Sequence, residues 1–208
     1  KIELYIQEDM ISVTYTKENM LMNKQQFDMN IQAADNNSLR IGAANRIVQL
    51  LQKLRYSNNE NSAKRWVWEL CQNAKDVCNS TGKVKISINY DEMQRKVFFR
   101  HNGKAFSMDN ILSLINQASS KDRNDGSERK SGKFGTGFIT THLLSEVVNI
   151  SGLLEIDGEH SKFTISLDRT GKEKNEIITA MEKAVGDLES CTPVDFLDFD
   201  EDEYHTVF

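Results

Sequence analysis

The chain has 208 residues, of which 38% are hydrophobic and 27% are charged, and its formal net charge is −5. This apolar fraction is sufficient for a folded core and excludes a disordered linker. The negative charge argues against a surface that binds nucleic acid directly. No stretch is apolar over the length that a membrane-spanning helix needs, so we expect no membrane partner either.

The three cysteines, Cys71, Cys78 and Cys191, fit a reducing compartment better than a disulfide framework, and we expect a cytoplasmic protein. Cys71 and Cys78 lie seven residues apart on a predicted helix, and no histidine is placed to complete a metal site, so buried thiols are expected. The sequence starts without Met and has no signal-peptide pattern, which leads us to expect a part of a longer chain.

Residues 1–38 carry the weakest patterns in the chain. Alternating apolar residues in 1–16 predict one or two strands, and scattered Met and Phe in 20–34 indicate a helix. The polar run at 36–38 is expected to end that helix, with Ser38 capping the next one. We therefore assign residues 1–38 to an N-terminal extension of unassigned structure and residues 39–208 to the main domain.

Two amphipathic helices are predicted next, over residues 39–56 and 62–79. The first is expected to pack on a sheet. On the second, Glu69, Asn73 and Asp76 share one face beside an apolar stripe. Such a polar row is often a solvated face, but beside an apolar stripe it can also line a cleft. Carboxylate and amide oxygens are ligands that Mg²⁺ accepts together with water and phosphate.

A hairpin and a short helix are predicted after these helices. Residues 83–90 alternate between polar and apolar, which predicts a strand with one buried face, and residues 96–100 form its hairpin partner. A helix over 107–118 is expected to begin with Ser107 as its cap. Between hairpin and helix lies a polar turn, His101-Asn102-Gly103-Lys104-Ala105-Phe106.

Residues 119–131 contain no apolar residue, so we expect a mobile surface segment, which is typical of a lid. A glycine-rich turn follows directly and opens a helix: Gly132-Lys133-Phe134-Gly135-Thr136-Gly137-Phe138. Glycine lets the backbone approach a ligand closely, and the free N–H groups at the start of a helix suit a phosphate. By itself, such a motif is as often a plain turn.

The rest of the chain alternates strands with one more helix. Gly152 and the pair Asp157-Gly158 are expected to separate the strands. Three strands, a helix, an acidic loop and a last strand are predicted, over 147–150, 153–156, 162–167, 174–187, 189–203 and 204–208. Hairpin strands between helices favour an α+β fold, a two-layer sandwich with a mixed, mostly antiparallel sheet and helices on one face.

Three motifs, in order and spacing, resemble the GHKL superfamily of gyrase, heat-shock chaperones, histidine kinases and MutL, whose ATP-binding domain is the Bergerat fold. The run from Glu69 to Asp76 is similar to the E-x-x-x-N-A-x-D helix of that family. The turn from His101 to Phe106 resembles D-x-G-x-G-[MF], and the glycine-rich turn resembles G-x-F-G-x-G-F. The last form is more similar to heat-shock-protein-90-like and MutL-like ATPases than to histidine kinases. The resemblance covers about residues 39–208, with the last strand expected to be cut short.

The resemblance implies Mg²⁺-dependent binding and hydrolysis of ATP to ADP, with an ATP lid over residues 119–131. It implies that Glu69 orients the attacking water, that Asn73 ligates Mg²⁺ and that Asp76 supports the adenine pocket. Lys121 is implied to pair with a phosphate, although a solvated lysine explains it equally well. The residues implied to contact the nucleotide are His101, Asn102, Gly103, Lys121, Gly132, Lys133, Phe134, Gly135, Thr136, Gly137, Phe138 and Thr206.

Two residues depart from the family pattern. His101 stands where the family has the Asp that accepts a hydrogen bond from the adenine amino group, and Ala105 replaces a glycine. A neutral imidazole nitrogen can accept that bond, whereas an imidazolium cannot. We therefore expect nucleotide affinity to fall as the pH falls through about 6.5. The alternative is a structural His101, with the base read by water and backbone.

Several other functions were weighed against an ATPase. The glycine spacing excludes a Walker P-loop, since Phe134 stands where Ser or Thr would bind Mg²⁺, and it excludes a dinucleotide fingerprint. The ATP-binding domain of a histidine kinase stays as the enzyme alternative, although no phospho-acceptor helix precedes the motifs. A DNA-processing ATPase and a nucleotide-binding module without hydrolysis stay open. In each case, lid closure is expected to act on other domains of a longer protein or on an ATP-dependent homodimer.

Overall fold

The chain adopts a mixed α+β fold in a computed structural model that describes residues 3–7, 10–14, 17–56, 60–117, 137–194 and 202–208. The elements in chain order are β1 (Glu3–Gln7), β2 (Met10–Thr14), α1 (Lys17–Tyr56), α2 (Glu60–Asp76), β3 (Ile86–Asp91), β4 (Lys96–His101), α3 (Met108–Ile115), a 3-10 helix (Phe138–Leu143), β5 (Val147–Ile156), β6 (Glu159–Asp168), α4 (Lys174–Glu189), β7 (Thr192–Val194) and β8 (Thr206–Val207). Within these residues no helix is both long enough and apolar enough to cross a membrane.

The chain divides into two units, Lys1–Gly42 and Ala43–Phe208. In the first unit, β1 and β2 pair antiparallel, as the alternating pattern predicted. Helix α1 runs without a break from Lys17 to Tyr56, so the expected helix end at residues 36–38 is wrong. Asn and Ser lower helix propensity by less than about 1 kcal/mol each, which is too little to stop a helix that its neighbours favour.

The second unit is built on a six-stranded sheet with the order β3-β4-β8-β5-β6-β7. Every pair of neighbouring strands is antiparallel. One parallel bridge joins Phe106 to Leu154 beside the sheet. The α+β class and the antiparallel pairing predicted from the sequence are confirmed. Strand β8 joins β4 to β5 at the centre of the sheet, although it comes last in the chain.

The core lies between the sheet and the helices that pack on it. Alternate residues of β6 are buried, namely Phe163, Ile165 and Leu167, and α4 packs against this strand. Helix α3 contacts β5 and α4. The predicted cap of α3 is confirmed, because the Asn110 N–H donates to Ser107 Oγ at 3.3 Å.

Strand β5 passes through Gly152 without a break, contrary to the sequence prediction. A Cβ at Gly152 would lie 3.1 Å from the rings of Phe106 and Phe163. These rings meet edge to face, with their centroids 5.4 Å apart. The glycine therefore makes room for two aromatic side chains, and it does not end the strand. Strand β7 likewise lies inside the predicted acidic loop, because the edge of β6 is open to pairing.

The apolar face of β3 is exposed, where the sequence predicted a buried face. Ile86, Ile88 and Tyr90 are 36%, 44% and 61% exposed. Strand β3 lies at the edge of the sheet, and its pairing with β4 uses the backbone and does not cover the face that carries these side chains. Alternation in a sequence marks the two faces of a strand, but it does not reveal whether anything packs on either of them.

Candidate functional site

Helix α2 and the turn after β4 enclose a cavity of about 10 Å³, which has room for one water molecule. Of the polar row on α2, Asn73 lines this cavity and is 7% exposed. Asp76 ends the helix at the surface and is not one of the described lining residues. The residues that line the cavity are Asn73, Val77, His101, Lys104, Ala105, Phe106, Asn110 and Phe208.

Glu69 lies against the last glycine of the glycine-rich turn. A Cβ built on Gly137 would collide with the carboxyl group of Glu69, whose Oε2 is the nearest atom. The other oxygen, Oε1, accepts a hydrogen bond from Arg65 Nε at 3.1 Å. The absence of a side chain at position 137 therefore lets the carboxylate reach the start of the 3-10 helix, which packs on α2.

The turn after β4 docks on the C-terminal end of α2. A Cβ at Gly103 would lie 2.6 Å from the carbonyl oxygen of Val77, and the Lys104 N–H donates to that oxygen at 2.8 Å. Asn102 is tied to the residue before β3, because the Lys85 N–H donates to Asn102 Oδ1 at 2.6 Å. Gly103 is therefore required for close packing, and Asn102 holds the turn in place.

His101 is 4% exposed, and its Nδ1 accepts a hydrogen bond from the Gly103 N–H at 3.1 Å. Burial, with a smaller contribution from nearby His205, lowers the pKa of His101 from 6.5 to about 4. The ring is therefore neutral near pH 7, and because Nδ1 is the acceptor, its hydrogen is on Nε2. Because burial lowers the pKa of this ring to about 4, the fall in nucleotide affinity is expected near that pH and not near 6.5, and it stays a prediction.

Thr206 and Phe208 bring the last strand to His101. Thr206 is buried and lies directly opposite His101 in the β4–β8 pair. The Phe208 ring stacks on His101 with centroids 6.1 Å apart, and it tilts against Phe138 at 5.8 Å. Phe138, from the glycine-rich turn, is thus linked through one ring to the turn after β4. Phe208 was not predicted to lie at the site, although its apolar position two residues after Thr206 was a usable signal.

The remaining predicted site residues lie outside the described part of the chain. They are Lys121, Gly132, Lys133, Phe134, Gly135 and Thr136, together with the lid predicted over residues 119–131. Within the described part, the structure brings Asn73 and His101 to one cavity and sets Glu69 against Gly137. Arg65 was not predicted, although its position four residues before Glu69 on one helix was a usable signal.

Among the predicted site residues that the structure describes, Asn73 brings an amide oxygen to the cavity, and this oxygen is chemically able to bind a metal ion. Its Nδ2 is enclosed and has no hydrogen-bond partner, which is uncommon for a buried amide. Among the described residues, no group of three or more His, Cys, Asp or Glu could bind a metal. One amide oxygen fits Mg²⁺ that keeps several waters and binds phosphate oxygens, and it does not fit a metal held by the protein alone.

A second group of buried polar residues holds the end of α3. Arg169 is fully buried, and its Nη2 donates to the carbonyl oxygen of Ile115 at 2.7 Å. Burial lowers the pKa of Arg169 to about 10. Burial and the neighbouring Arg169 lower the pKa of His142 to about 3. No sequence motif predicted this group.

No protein-family model matches the chain, and no curated protein matches it.

Proposed function

We propose that the chain is a GHKL-type ATP-binding domain, similar to those of heat-shock-protein-90-like ATPases, which binds ATP with Mg²⁺ and hydrolyses it. The observation that carries the proposal is the contact between the Glu69 carboxyl group and Gly137. It puts an acidic side chain at the end of a turn whose composition suits phosphate. An acid at that point suits the orientation of a water molecule beside a terminal phosphate.

Two further observations support the proposal. Residues from distant motifs, Asn73 and His101, line one cavity, and Gly103 packs on the end of α2. The six-stranded antiparallel sheet is compatible with the two-layer sandwich of the Bergerat fold. Convergence of motifs that lie about 30 residues apart in sequence is stronger support than any one motif, because each alone has a high false-positive rate.

Phosphoryl transfer depends mainly on position and on neutralisation of charge. In the proposed reaction, Glu69 accepts a hydrogen bond from the attacking water and aims it at the terminal phosphate. The N–H groups of the glycine-rich turn hold the phosphate oxygens, and Lys121 pairs with one of them. Asn73 Oδ1 would hold Mg²⁺, which supplies positive charge at the phosphates when bound. Closure of residues 119–131 excludes bulk water.

At the base end, the proposal assigns contacts to His101 and Thr206, with Asp76 acting through water. A cavity of about 10 Å³ cannot accept a purine ring, so binding requires a rearrangement of the wall. The Phe208 side chain and the exposed Lys104 are the wall residues we expect to move, since Asn73 and Phe106 are packed in the core region. Nucleotide binding is therefore expected to follow induced fit.

The proposal is tested by phosphate release from the wild type and from Glu69→Gln, with Glu189→Gln as an exposed control on α4. We expect Glu69→Gln to lower the rate at least about 100-fold, as loss of a positioned catalytic group does, while ATP still binds. Equal and near-zero rates in all three proteins, with ATP bound, would favour the non-hydrolysing module. No binding of any nucleotide would overturn the proposal.

The effect of hydrolysis is proposed to pass to other domains of a longer protein or to an ATP-dependent homodimer. Closure of the proposed lid would change the protein surface around it, and either another domain or a second copy of the chain could respond to that change. Sedimentation with and without a non-hydrolysable ATP analogue distinguishes the two, because only the homodimer doubles the mass. The free state of Cys71, Cys78 and Cys191 supports the proposed cytoplasmic location.

A further inference from the structure

His101 can donate a hydrogen bond to a ligand, whereas a carboxylate at the same position could only accept one. A backbone N–H can only donate, so the 3.1 Å contact with Gly103 makes Nδ1 an acceptor without a hydrogen. The single hydrogen of the neutral ring is then on Nε2, which is a donor. A carboxylate at this position would present acceptor oxygens only.

Nε2 is the ring atom that remains for a ligand. It has no hydrogen-bond partner among the described residues. It is also absent from the enclosed side-chain atoms without a hydrogen bond, which include Asn73 Nδ2 and Gln117 Oε1. Nε2 therefore reaches free space, and the free space beside His101 is the cavity that it lines.

The surroundings hold the ring in this tautomer. Turning the ring over would set a carbon or an N–H against the Gly103 N–H and leave a buried donor unpaired. Phe99 meets the ring edge-on, with the centroids 6.3 Å apart, and this contact does not involve the wall residues that are expected to move. A ligand must therefore match the donor at Nε2, because the protein does not readily convert it into an acceptor.

We propose that His101 recognises the base of the bound nucleotide at a hydrogen-bond acceptor, through Nε2–H. This inference rests on the proposed nucleotide-binding function. The candidate acceptors on a purine are N1 of a 6-aminopurine and O6 of a 6-oxopurine. The exocyclic amino group of adenine is a donor, so it finds no partner on this ring. Recognition then does not depend on the amino group that an aspartate would read.

The test measures the affinity of the wild-type protein for four Mg²⁺ triphosphates: ATP, purine riboside triphosphate without the amino group, 1-deaza-ATP without N1, and ITP with O6. We expect loss of the amino group to change the affinity less than about twofold. If N1 is the acceptor, its loss weakens binding about tenfold, the effect of one unmade hydrogen bond to a buried donor. If O6 is the acceptor, ITP binds more tightly than ATP.

Three results would overturn the inference. If loss of the amino group weakens binding about tenfold, while loss of N1 has no effect and ITP binds no better than ATP, the donor role of His101 is overturned. If no triphosphate binds, the proposed function falls and this inference falls with it. Binding of all four with equal affinity also overturns the inference, because the base is then not read at this edge.

Two further measurements separate recognition from a structural role. His101→Asp replaces the donor by an acceptor, so we expect the amino group to become important in the same series. Nitrogen-15 shifts of labelled histidine in the wild type report the tautomer directly, and they do not require a variant that folds. A hydrogen on Nδ1 of His101 in the complex would overturn the inference even if His101→Asp were unfolded.

Discussion

Two glycines lie against helix α2, one beside a backbone carbonyl group and the other beside the end of a side chain. Gly103 faces the backbone of the helix end, where a Cβ would meet the Val77 carbonyl oxygen at 2.6 Å. Gly137 faces the end of a side chain, the Glu69 carboxyl group. A carbonyl held by helix and turn cannot move aside, whereas a carboxyl group can swing away on three rotatable bonds.

The same chemical change is therefore expected to have different consequences at the two positions. At Gly103, an added methyl group pushes two packed segments apart, and the cost falls on the folded state. At Gly137, the methyl group displaces the Glu69 carboxyl group, so under the proposed function the rate of hydrolysis falls while the stability changes little. Measuring stability and hydrolysis for both substitutions therefore distinguishes a glycine required for packing, as expected for Gly103, from one required for the proposed site, as expected for Gly137.

The largest effect is expected for Gly137→Ala. Under the proposed function, a displaced Glu69 would no longer aim the attacking water, and a misplacement of about 1 Å can lower a rate about 100-fold. ATP hydrolysis should fall by about this factor, while the free energy of unfolding changes by less than about 0.5 kcal/mol. Phosphate release and urea denaturation measure the two quantities. A strongly destabilised protein with normal hydrolysis would reverse the comparison.

Gly103→Ala is expected to lower the free energy of unfolding by about 2 kcal/mol, the typical cost of overpacking. Urea denaturation measures this loss. The matched control is Gly186→Ala on α4, where a Cβ meets nothing within 4 Å. Alanine should stabilise the control by about 0.5 kcal/mol, since it favours the helix. Equal changes at positions 103 and 186 would contradict the close packing at Val77.

Each glycine also has a buried histidine nearby, His101 beside Gly103 and His142 in the 3-10 helix after Gly137. Both pKa values are lowered, to about 4 and about 3, mainly by burial. The unfolded chain therefore binds more protons than the folded one below pH 6.5, and stability falls as the pH falls toward 4. Above pH 6.5 the contribution of each histidine is fully present.

Replacing either histidine by Asn should remove about 1.5 kcal/mol of the stability lost between pH 6.5 and 5. The measurement is urea denaturation of wild type, His101→Asn and His142→Asn over this pH range. Both variants are expected to be less stable at pH 7 but to have flatter pH profiles. Profiles parallel to that of the wild type would show that the histidines do not cause the acid sensitivity.

The smallest effect is expected for Arg65→Ala. The pair with Glu69 is largely exposed on the arginine side, so its loss should cost less than about 0.5 kcal/mol of stability. Hydrolysis should fall about threefold, because one oxygen of Glu69 loses its partner, and this difference should shrink at high salt. A rate as low as that of Glu69→Gln would instead indicate that Arg65 contacts the substrate.

Local patterns in the sequence predicted much of the fold. The hairpin β3–β4, the capped helix α3 and helix α4 follow from alternation, helical spacing and the cap at Ser107. The failures concern features that depend on distant partners. Whether Gly152 ends a strand depends on Phe106 and Phe163, and whether β3 is buried depends on the sheet order. Neither is encoded within a short window.

The candidate site was also predicted only in part, because some of its features depend on residues that are distant in the sequence. Spacing along α2 identified Glu69 and Asn73, because helical periodicity fixes which residues share a face. The tautomer of His101 could not be predicted, since it depends on the direction of the Gly103 N–H in the folded turn. Phe208 was missed because only the pairing of β8 with β4 brings it to that ring.

Strand β8 has a consequence for the order in which the protein is made. Its two residues lie between β4 and β5, yet they emerge from the ribosome after the other strands of the sheet that the structure describes. The β3–β4 hairpin and the β5–β6 hairpin can form earlier, but as separate pieces with open edges. These nascent pieces should be sensitive to aggregation and to chaperone capture until Thr206 emerges. The wall that contains His101 is then completed only after both hairpins have emerged.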